Sequence, residues 1–471
     1  MEILNRFLGS LISTLQQCLY EGGFSLTVCN EDKIFFRRFI FIVIPLVIQE
    51  LINAAVNMAD TVMIGKLGIH EVTAVGLSNQ IFFLFILVCF GISGGASIFM
   101  GQFTGKNDYH SIHKIMGIAF VCTTLAALFF SVCVTFFPEN IIRIYTKDDL
   151  VIELSAKYLK PVAFSYFFTA ISIVINASLR SIGQTKFPLV TTVIALFCSV
   201  TLNYIFIFIF HMGVFGAGLS TLIARGIELI LQIILIWKLK LPVGASLKSY
   251  LSMNSKFIKM FLVIAAPVIF TEIGWSVGTS LYHVAFQYAG TEGQGAMQIS
   301  MTVQNMFMVI GMSIGTSCGI LTANLLGSGE FSKAIRYSRI FLWLATGFSF
   351  VMGIILIFLS PVIINFFDIP DSAKQNVQNI LYVIAFGIAI RTFNYTSIVG
   401  ILRSGGDTKF CLFITLASVW FVGVPMAFIG AIYFDLPIHL ILVMAYSEEI
   451  IKAVLSGIRV FSNKWVNTIV D

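Results

Sequence analysis

Five polar side chains interrupt one long apolar stretch near the start of the sequence, at about residues 40–65. They are Gln49, Glu50, Asn53, Asn57 and Asp60. A helix turns by roughly 100° per residue, which places all five within one arc of about 100°. The stretch is long enough to cross a bilayer, where carboxylates face protein or water rather than lipid. A carboxylate held on such a face can bind a proton or Na+.

The same pattern returns 222 residues later in the sequence. Pro45 corresponds to Pro267 and Glu50 to Glu272 at this offset. The matching arc of the second helix carries Thr271, Glu272, Trp275, Thr279 and Tyr282. We therefore interpret the chain as two copies of one unit, each opening with a helix that holds a buried glutamate.

The composition is that of a membrane protein. Of 471 residues, 58% are hydrophobic and only 11% are charged, and the mean hydropathy is +0.94. The apolar runs are too long, and alternate too little, for the strands of a barrel. They predict an all-α membrane protein with twelve transmembrane helices in two six-helix lobes. The predicted spans are roughly 39–65, 74–103, 114–136, 152–178, 187–210, 215–237, 257–284, 296–325, 338–359, 376–401, 410–433 and 437–458.

Four segments are predicted along the chain. Residues 1–36 form an N-terminal cytoplasmic or interfacial segment, either a helix on the membrane surface or a loosely ordered tail. Residues 37–237 form an N-lobe of six spans, and residues 257–471 form a C-lobe of six more. Residues 238–256 contain a proline, a glycine and four lysines, which is typical of a cytoplasmic linker between lobes.

Basic residues are distributed unevenly between the two sets of loops. If the N-terminus lies in the cytoplasm, most loop lysines and arginines fall on the cytoplasmic side, as membrane insertion favours. This bias predicts a multi-pass protein of the plasma membrane (the cell inner membrane) with both termini in the cytoplasm. The net charge of +6 is scattered over these loop anchors, which argues against a nucleic-acid partner.

The sequence carries no recognisable catalytic or metal-binding motif. It lacks the HExxH, P-loop and nucleophile-elbow patterns. None of the eight cysteines forms a CxxC pair, and six lie inside predicted spans, which favours a packing role. We therefore expect neither enzymatic activity nor an organic cofactor.

Two nine-residue strings resemble one another closely, LRSIGQTKF at 179–187 and LRSGGDTKF at 402–410. We interpret both as short cytoplasmic turns, in which glycine permits the reversal and two cations anchor in the headgroup region. These cations are Arg180, Lys186, Arg403 and Lys409.

Small residues recur at the ends of the second and eighth spans, where Gly105 and Gly327 are 222 residues apart. Their spacing predicts close packing of helices rather than a phosphate-binding loop.

Two groups of charged residues lie within spans. Arg225 and Glu228 are three residues apart, which predicts an ion pair along one helix. Glu448, Glu449 and Lys452 are interpreted as lying near the cytoplasmic membrane edge, paired with each other and with water.

Two six-span units that both start on the same side are parallel repeats, an arrangement found in transporters. A cavity between the lobes can open to either side when one lobe rocks against the other. A gated channel and an intramembrane enzyme are weaker alternatives.

The strings NMADTVMIGKLG, LRSxGxTKF, NYIFIF and WFVGVP together resemble the multidrug and toxic-compound extrusion family over about residues 38–465. The resemblance implies a V-shaped, twelve-span fold that exports cationic or amphipathic compounds against Na+ or H+. It also implies a coupling role for Asp60, and Glu272 is similar to a glutamate that family members often carry.

The chain departs from the family pattern at two places. Ser199 and Asn203 occupy positions where family members carry asparagine and aspartate, and the tenth span offers Arg391, Asn394 and Tyr395 instead of an aspartate. An arginine of the second lobe could also compensate Glu272, which would then be structural.

The candidate site residues follow from the arcs and from the resemblance. Candidates for cation coupling, including a Na+ site near Asp60 or Glu272, are Asp60, Glu272, Glu50 and Asn203. Candidates for the substrate cavity are Asn53, Asn57, Trp275, Thr279, Tyr282, Arg391, Asn394 and Tyr395.

The leading hypothesis is secondary efflux of cationic or amphipathic small molecules by a monomer in contact with membrane lipid. The alternative is a flippase for lipid-linked precursors. A flippase should have a basic cavity, but Arg225 and Arg391 are the only cations deep in the predicted spans.

Overall fold

The long apolar segments form helices in the structure, a computed structural model that describes residues 30–365 and 371–470. Most of the predicted N-terminal segment, up to residue 29, lies outside the described residues, so both alternatives for it stay predictions. Contacts group the chain up to Phe41 in one unit and residues 42–471 in another. In the first unit, the Arg37 guanidinium lies 5.7 Å from the centroid of the Phe41 ring.

Twelve long helices occupy the described ranges, and we call the first six the first repeat and the last six the second repeat. They are α1 Asn30–Gly65, α2 Ile69–Gly105, α3 Tyr109–Phe136, α4 Asp149–Ser181, α5 Lys186–Tyr204, α6 Gly213–Lys238, α7 Ser255–Gln287, α8 Gly290–Gly327, α9 Phe331–Asn365, α10 Asp371–Tyr395, α11 Thr408–Ser418 and α12 Ile438–Phe461.

Three of these helices continue in wider or tighter turns. α5 runs on through a π-helical turn at Ile205–Ile209, and α10 runs on through Thr396–Leu402 and a 3₁₀ turn at Arg403–Gly405. After α11 the chain alternates between π and α geometry, in Val419–Gly423, Val424–Phe428 and Ile429–Tyr433. Short helices at Pro138–Ile142 and Leu247–Tyr250 lie in the connections.

In the described ranges, eleven helices are long and apolar enough to cross a membrane. α12 is the exception, and it carries Glu448, Glu449 and Lys452 near its middle. The helices agree with the predicted spans, and the all-α membrane fold is confirmed. The predicted lobe boundaries stay a prediction.

Polar residues in the turns begin several helices. Asp108 precedes α3, where its Oδ1 accepts a hydrogen bond from the Ser111 backbone at 3.1 Å and its Oδ2 accepts one from the Ser111 hydroxyl at 2.6 Å. Partial burial alone would raise the pKa of Asp108. These hydrogen bonds, together with His110 and Lys114, instead hold it below its usual value.

Aromatic side chains fill the space between the repeats. Phe99 and Phe103 of α2 pack against Phe261 and Phe257 of α7, with ring centroids 6.3 Å apart in each pair. These residues belong to one hydrophobic cluster that draws on both repeats. The two repeats are thus joined in the half of α2 that ends at residue 105.

Close backbone contact continues to the ends of α2 and α8. A Cβ at Gly105 would collide with the backbone of Asn324 and Ser328, and one at Gly327 would collide with the backbone of Gln102. Only glycine permits this approach. The structure therefore confirms close packing at this pair of equivalent glycines.

The segment that follows α12 adds polar contacts on the same side. The Gln102 Nε2 donates hydrogen bonds to the carbonyl oxygens of Ser404 at 2.9 Å and Asn467 at 3.2 Å. Its Oε1 accepts one from the Ile469 backbone at 2.9 Å. We call this side, which also carries the 239–254 connection, the linker side.

We expect Gly105→Ala to destabilise the protein by about 1–3 kcal/mol, because the added methyl group overpacks a backbone contact. Gly76→Ala on the same helix is the matched control, since no atom lies within 4 Å of its Cβ position. The control should be neutral or stabilising by about 0.5–1 kcal/mol. Thermal unfolding of the purified variants measures both effects, and equal midpoints would contradict the close contact.

Candidate functional site

Asp60 of α1 forms a polar contact with α5. The Asn203 Nδ2 donates a hydrogen bond to Asp60 Oδ1 at 2.8 Å. The Asn203 Oδ1 in turn accepts a hydrogen bond from the Ser220 hydroxyl of α6. Asn203 is buried, whereas Asp60 remains half-exposed. The structure therefore brings together two predicted coupling residues, on α1 and α5, and Ser220 extends the contact to α6.

A charged pair lies next to this contact. Arg225 of α6 is close enough to Asp60 and Tyr158 to interact electrostatically with both. The Arg225 Nη1 lies 2.9 Å from Glu228 Oε2, which confirms the predicted ion pair. Glu228 is almost completely buried, so this pairing offsets the cost of removing its charge from water.

The hydrogen bonds continue from Glu228 toward the linker side. The Thr192 hydroxyl lies 3.1 Å from Glu228 Oε1 and 2.9 Å from Gln49 Nε2. The Arg180 Nη2 donates a hydrogen bond to Gln49 Oε1 at 2.9 Å. One chain of polar contacts thus crosses the first repeat from α6 to the end of α4.

The second repeat pairs its first-helix glutamate with an arginine. The Arg403 Nη1 lies 2.8 Å from Glu272 Oε1, and both side chains are largely buried. The Tyr395 hydroxyl lies 3.1 Å from the Thr316 hydroxyl. The Tyr395 side chain also interacts electrostatically with Glu272, Arg403 and Glu50. The coupling role of Glu272 stays a prediction, and its structural role as the partner of Arg403 is visible.

The interpretation of the two LRS turns is wrong for one cation of each. Arg403 is buried within the helices rather than anchored among headgroups, because Glu272 provides a carboxylate there. Arg180 likewise points to Gln49, while Lys186 and Lys409 are exposed.

A second cluster of charges lies between α10 and α12. Glu449 accepts a hydrogen bond from Asn394 Nδ2 at 2.7 Å and lies 3.5 Å from Arg391 Nε. The Lys452 Nζ lies 3.1 Å from Glu449 and 3.4 Å from Glu448. Three of the predicted cavity residues therefore meet a glutamate of α12: Arg391 and Asn394 meet Glu449, and Tyr282 meets Glu448.

The interpretation of Glu448, Glu449 and Lys452 as edge residues is wrong. All three are less than a tenth exposed, because they lie near the middle of the 24-residue helix α12. Each end of that helix is about 15 Å away at 1.5 Å per residue. The signal in the sequence that points to a buried cluster is the spacing of Lys452, which lies three residues after Glu449 and four after Glu448 within a predicted span.

The remaining candidates are more dispersed. Asn57 is exposed, and Glu50, Asn53 and Trp275 are half-exposed. Thr279 donates its hydroxyl hydrogen to the backbone of its own helix, at Ser276. Their roles in substrate or cation binding stay predictions.

The profile of the MatE family matches residues 45–205 and 267–429. The chain belongs to the multidrug and toxic-compound extrusion (MATE) family. The two matched segments begin at Pro45 and Pro267, which confirms the internal duplication. MATE proteins are transporters, so the protein is a multi-pass membrane transporter of this family.

Relatives of this MATE transporter span nearly its whole length. A probable multidrug resistance protein NorM of Thermotoga maritima is 24% identical over 442 residues, 91% of this chain and 93% of that protein. An uncharacterized transporter, YisQ, of Bacillus subtilis is 24% identical over 429 residues, 90% of this chain and 93% of that protein.

Solved MATE structures share the fold. A MATE protein in complex with MaL6 has a TM-score of 0.83 and 17% identity, covering 91% of this chain and 96% of that chain. An outward-facing multidrug resistance MATE transporter of the MOP superfamily has a TM-score of 0.81 and 18% identity over the same shares.

We expect Arg403→Gln to destabilise the MATE transporter by about 3 kcal/mol, because it leaves the Glu272 charge unpaired in a largely buried position. Glu272→Gln combined with Arg403→Gln should recover part of that loss, since no unpaired charge remains. Arg143→Gln, which breaks an exposed 3.7 Å pair with Asp149, is the control and should have no measurable effect. Thermal unfolding of the purified proteins compares them, and strictly additive losses would rule out the coupling.

Proposed function

We propose that this MATE transporter exports cationic or amphipathic small molecules in exchange for protons, by alternating access of its two repeats. The observation that supports this proposal most directly is the Asp60–Asn203–Ser220 contact. It holds a half-exposed carboxylate within a membrane-spanning helix, a position that is costly and typical of ion and proton pathways.

The geometry at Asp60 favours H+ over Na+ as the coupling ion. Na+ is held by several oxygen atoms in transporters of this kind. Asn203 instead turns its Nδ2 toward Asp60, while its Oδ1 is engaged by Ser220. A proton needs only one carboxylate oxygen, whereas Na+ needs several oxygen ligands at the same time.

The charges near the cavity candidates favour a cationic substrate. Arg225, Arg391 and Arg403 each lie within ion-pair distance of a carboxylate. A lipid-linked precursor with an anionic phosphate would have to displace those carboxylates. An organic cation can approach the half-exposed Asp60 and Glu50 without doing so, and aromatic faces such as Trp275 attract cations as well.

Basic residues are enriched in the linker-side turns, so we assign that side to the cytoplasm and place the molecule in the plasma membrane. The contacts of Gly105 and Gly327 then close the cytoplasmic side. Export requires these contacts to separate when the transporter opens inward, as expected for rocking repeats.

We expect purified transporter in lipid vesicles to drive uptake of a fluorescent organic cation when a pH gradient is imposed, and Asp60→Asn to abolish it. The amide has the size of the carboxylate but cannot exchange a proton. Asp149→Asn, at the first residue of α4, where the side chain is 91% exposed, is the matched control and should retain parental rates.

Other results of the vesicle experiment would replace this proposal. Full pH-driven transport by Asp60→Asn would remove Asp60 as the coupling residue. Transport driven by a Na+ gradient at equal pH would identify Na+ as the coupling ion. Scrambling of a labelled lipid phosphate without cation transport would support the flippase, and single-channel currents would support a channel.

A further inference from the structure

Two buried polar side chains of the second repeat, Tyr282 and Glu448, interact with one another. Among the described residues, Glu448 Oε2 and the Tyr282 hydroxyl oxygen are both inaccessible to solvent, and neither forms a hydrogen bond of good geometry. Glu448 is 3% exposed and Tyr282 is 8% exposed. A buried carboxylate oxygen without a well-formed hydrogen bond costs free energy, and binding of a proton would lower that cost.

Gly423 makes room for this pair. A Cβ at Gly423 would collide with the Tyr282 hydroxyl and would lie 3.1 Å from Glu448 Cγ. The tyrosine of α7 and the glutamate of α12 therefore lie over the same glycine, in the stretch that follows α11. They also interact electrostatically with one another.

The neighbouring charges leave Glu448 less well compensated than Glu449. Glu449 has contacts with Lys452 at 3.1 Å, with Arg391 at 3.5 Å and with Asn394 at 2.7 Å. Glu448 has one ion pair, with Lys452 at 3.4 Å through Oε1. Glu449 is therefore the partner of two cations, while Glu448 is the partner of one.

We propose that Glu448 is a proton-binding site of the second repeat, with Tyr282 as the hydrogen-bonding partner of both of its states. A proton that adds to Glu448 Oε2 forms an O–H group, which donates to the Tyr282 oxygen. When the proton leaves, the Tyr282 hydroxyl rotates and donates to the carboxylate. The site rests on the proposed proton exchange and adds a second proton carrier, in the other repeat from Asp60.

The charge balance of the cluster connects this site to transport. The titratable and charged groups near Glu448 are Tyr282 of α7, Arg391 of α10, and Tyr446, Glu449 and Lys452 of α12. With Glu448 ionised, the two carboxylates balance Arg391 and Lys452. Protonation leaves one net positive charge beside Arg391, which is partly exposed, and this charge repels a cationic substrate.

Infrared difference spectroscopy of the purified transporter tests the site without any transport. We expect the carbonyl band of a protonated carboxylic acid to disappear as the pH is raised, and to be absent from Glu448→Gln. Tyr282→Phe should keep this band but shift it, because the carboxylic acid loses its hydrogen-bond acceptor. This second variant tests the site even if Glu448→Gln does not fold.

The matched control is Glu153→Gln, which removes an exposed carboxylate that lies 2.7 Å from Lys157 and should leave the band unchanged. If Glu448→Gln keeps every carboxylic-acid band of the parental spectrum, or if no such band moves in Tyr282→Phe, the assignment is overturned. Loss of the band in Asp60→Asn but not in Glu448→Gln would leave the proposed function standing and remove only the second site.

Discussion

A charge inside the apolar layer of a membrane has to be neutralised by the protein itself, because lipid offers it no partner. In this transporter, Arg225 meets Glu228 and Arg403 meets Glu272, while Arg391 and Lys452 share Glu449. The Arg403–Glu272 and Arg391–Glu449 contacts and the Asp60–Asn203 hydrogen bond connect helices that are distant in sequence. Charge neutralisation therefore determines which helix faces turn inward, and close glycine contacts determine how near the helices come.

The two repeats share a backbone plan but differ in chemistry. Arg225 and Glu228 of α6 have their counterparts 224 residues later in Glu449 and Lys452 of α12, where the order of the charges is reversed. The arginine of the repeated turn reaches Gln49 in the first repeat and Glu272 in the second. Two repeats built alike thus surround different charges, which is what the proposed exchange of a proton for an organic cation would require.

The extents of the helices could be predicted because they depend on properties of neighbouring residues in the sequence. A membrane helix needs about 20 apolar residues, and a duplicated chain repeats its prolines, glycines and turns at a constant offset. Contacts such as that between Asp60 and Asn203 were anticipated only in part, by a resemblance to family motifs. Arg403 and Glu448 were placed wrongly, because nothing near them in sequence reveals a partner on another helix.

The sequence by itself determined the class of protein, the spans, the duplication and the polar arc of α1. Each of these depends on composition, length or helical period, and these properties can be read from residues that are near one another in the sequence. The tertiary structure decided which buried charges meet, since Arg403 and Glu272 are 131 residues apart. It also decided that Glu448 meets Tyr282, because that depends on how α7, α12 and the stretch after α11 pack around Gly423.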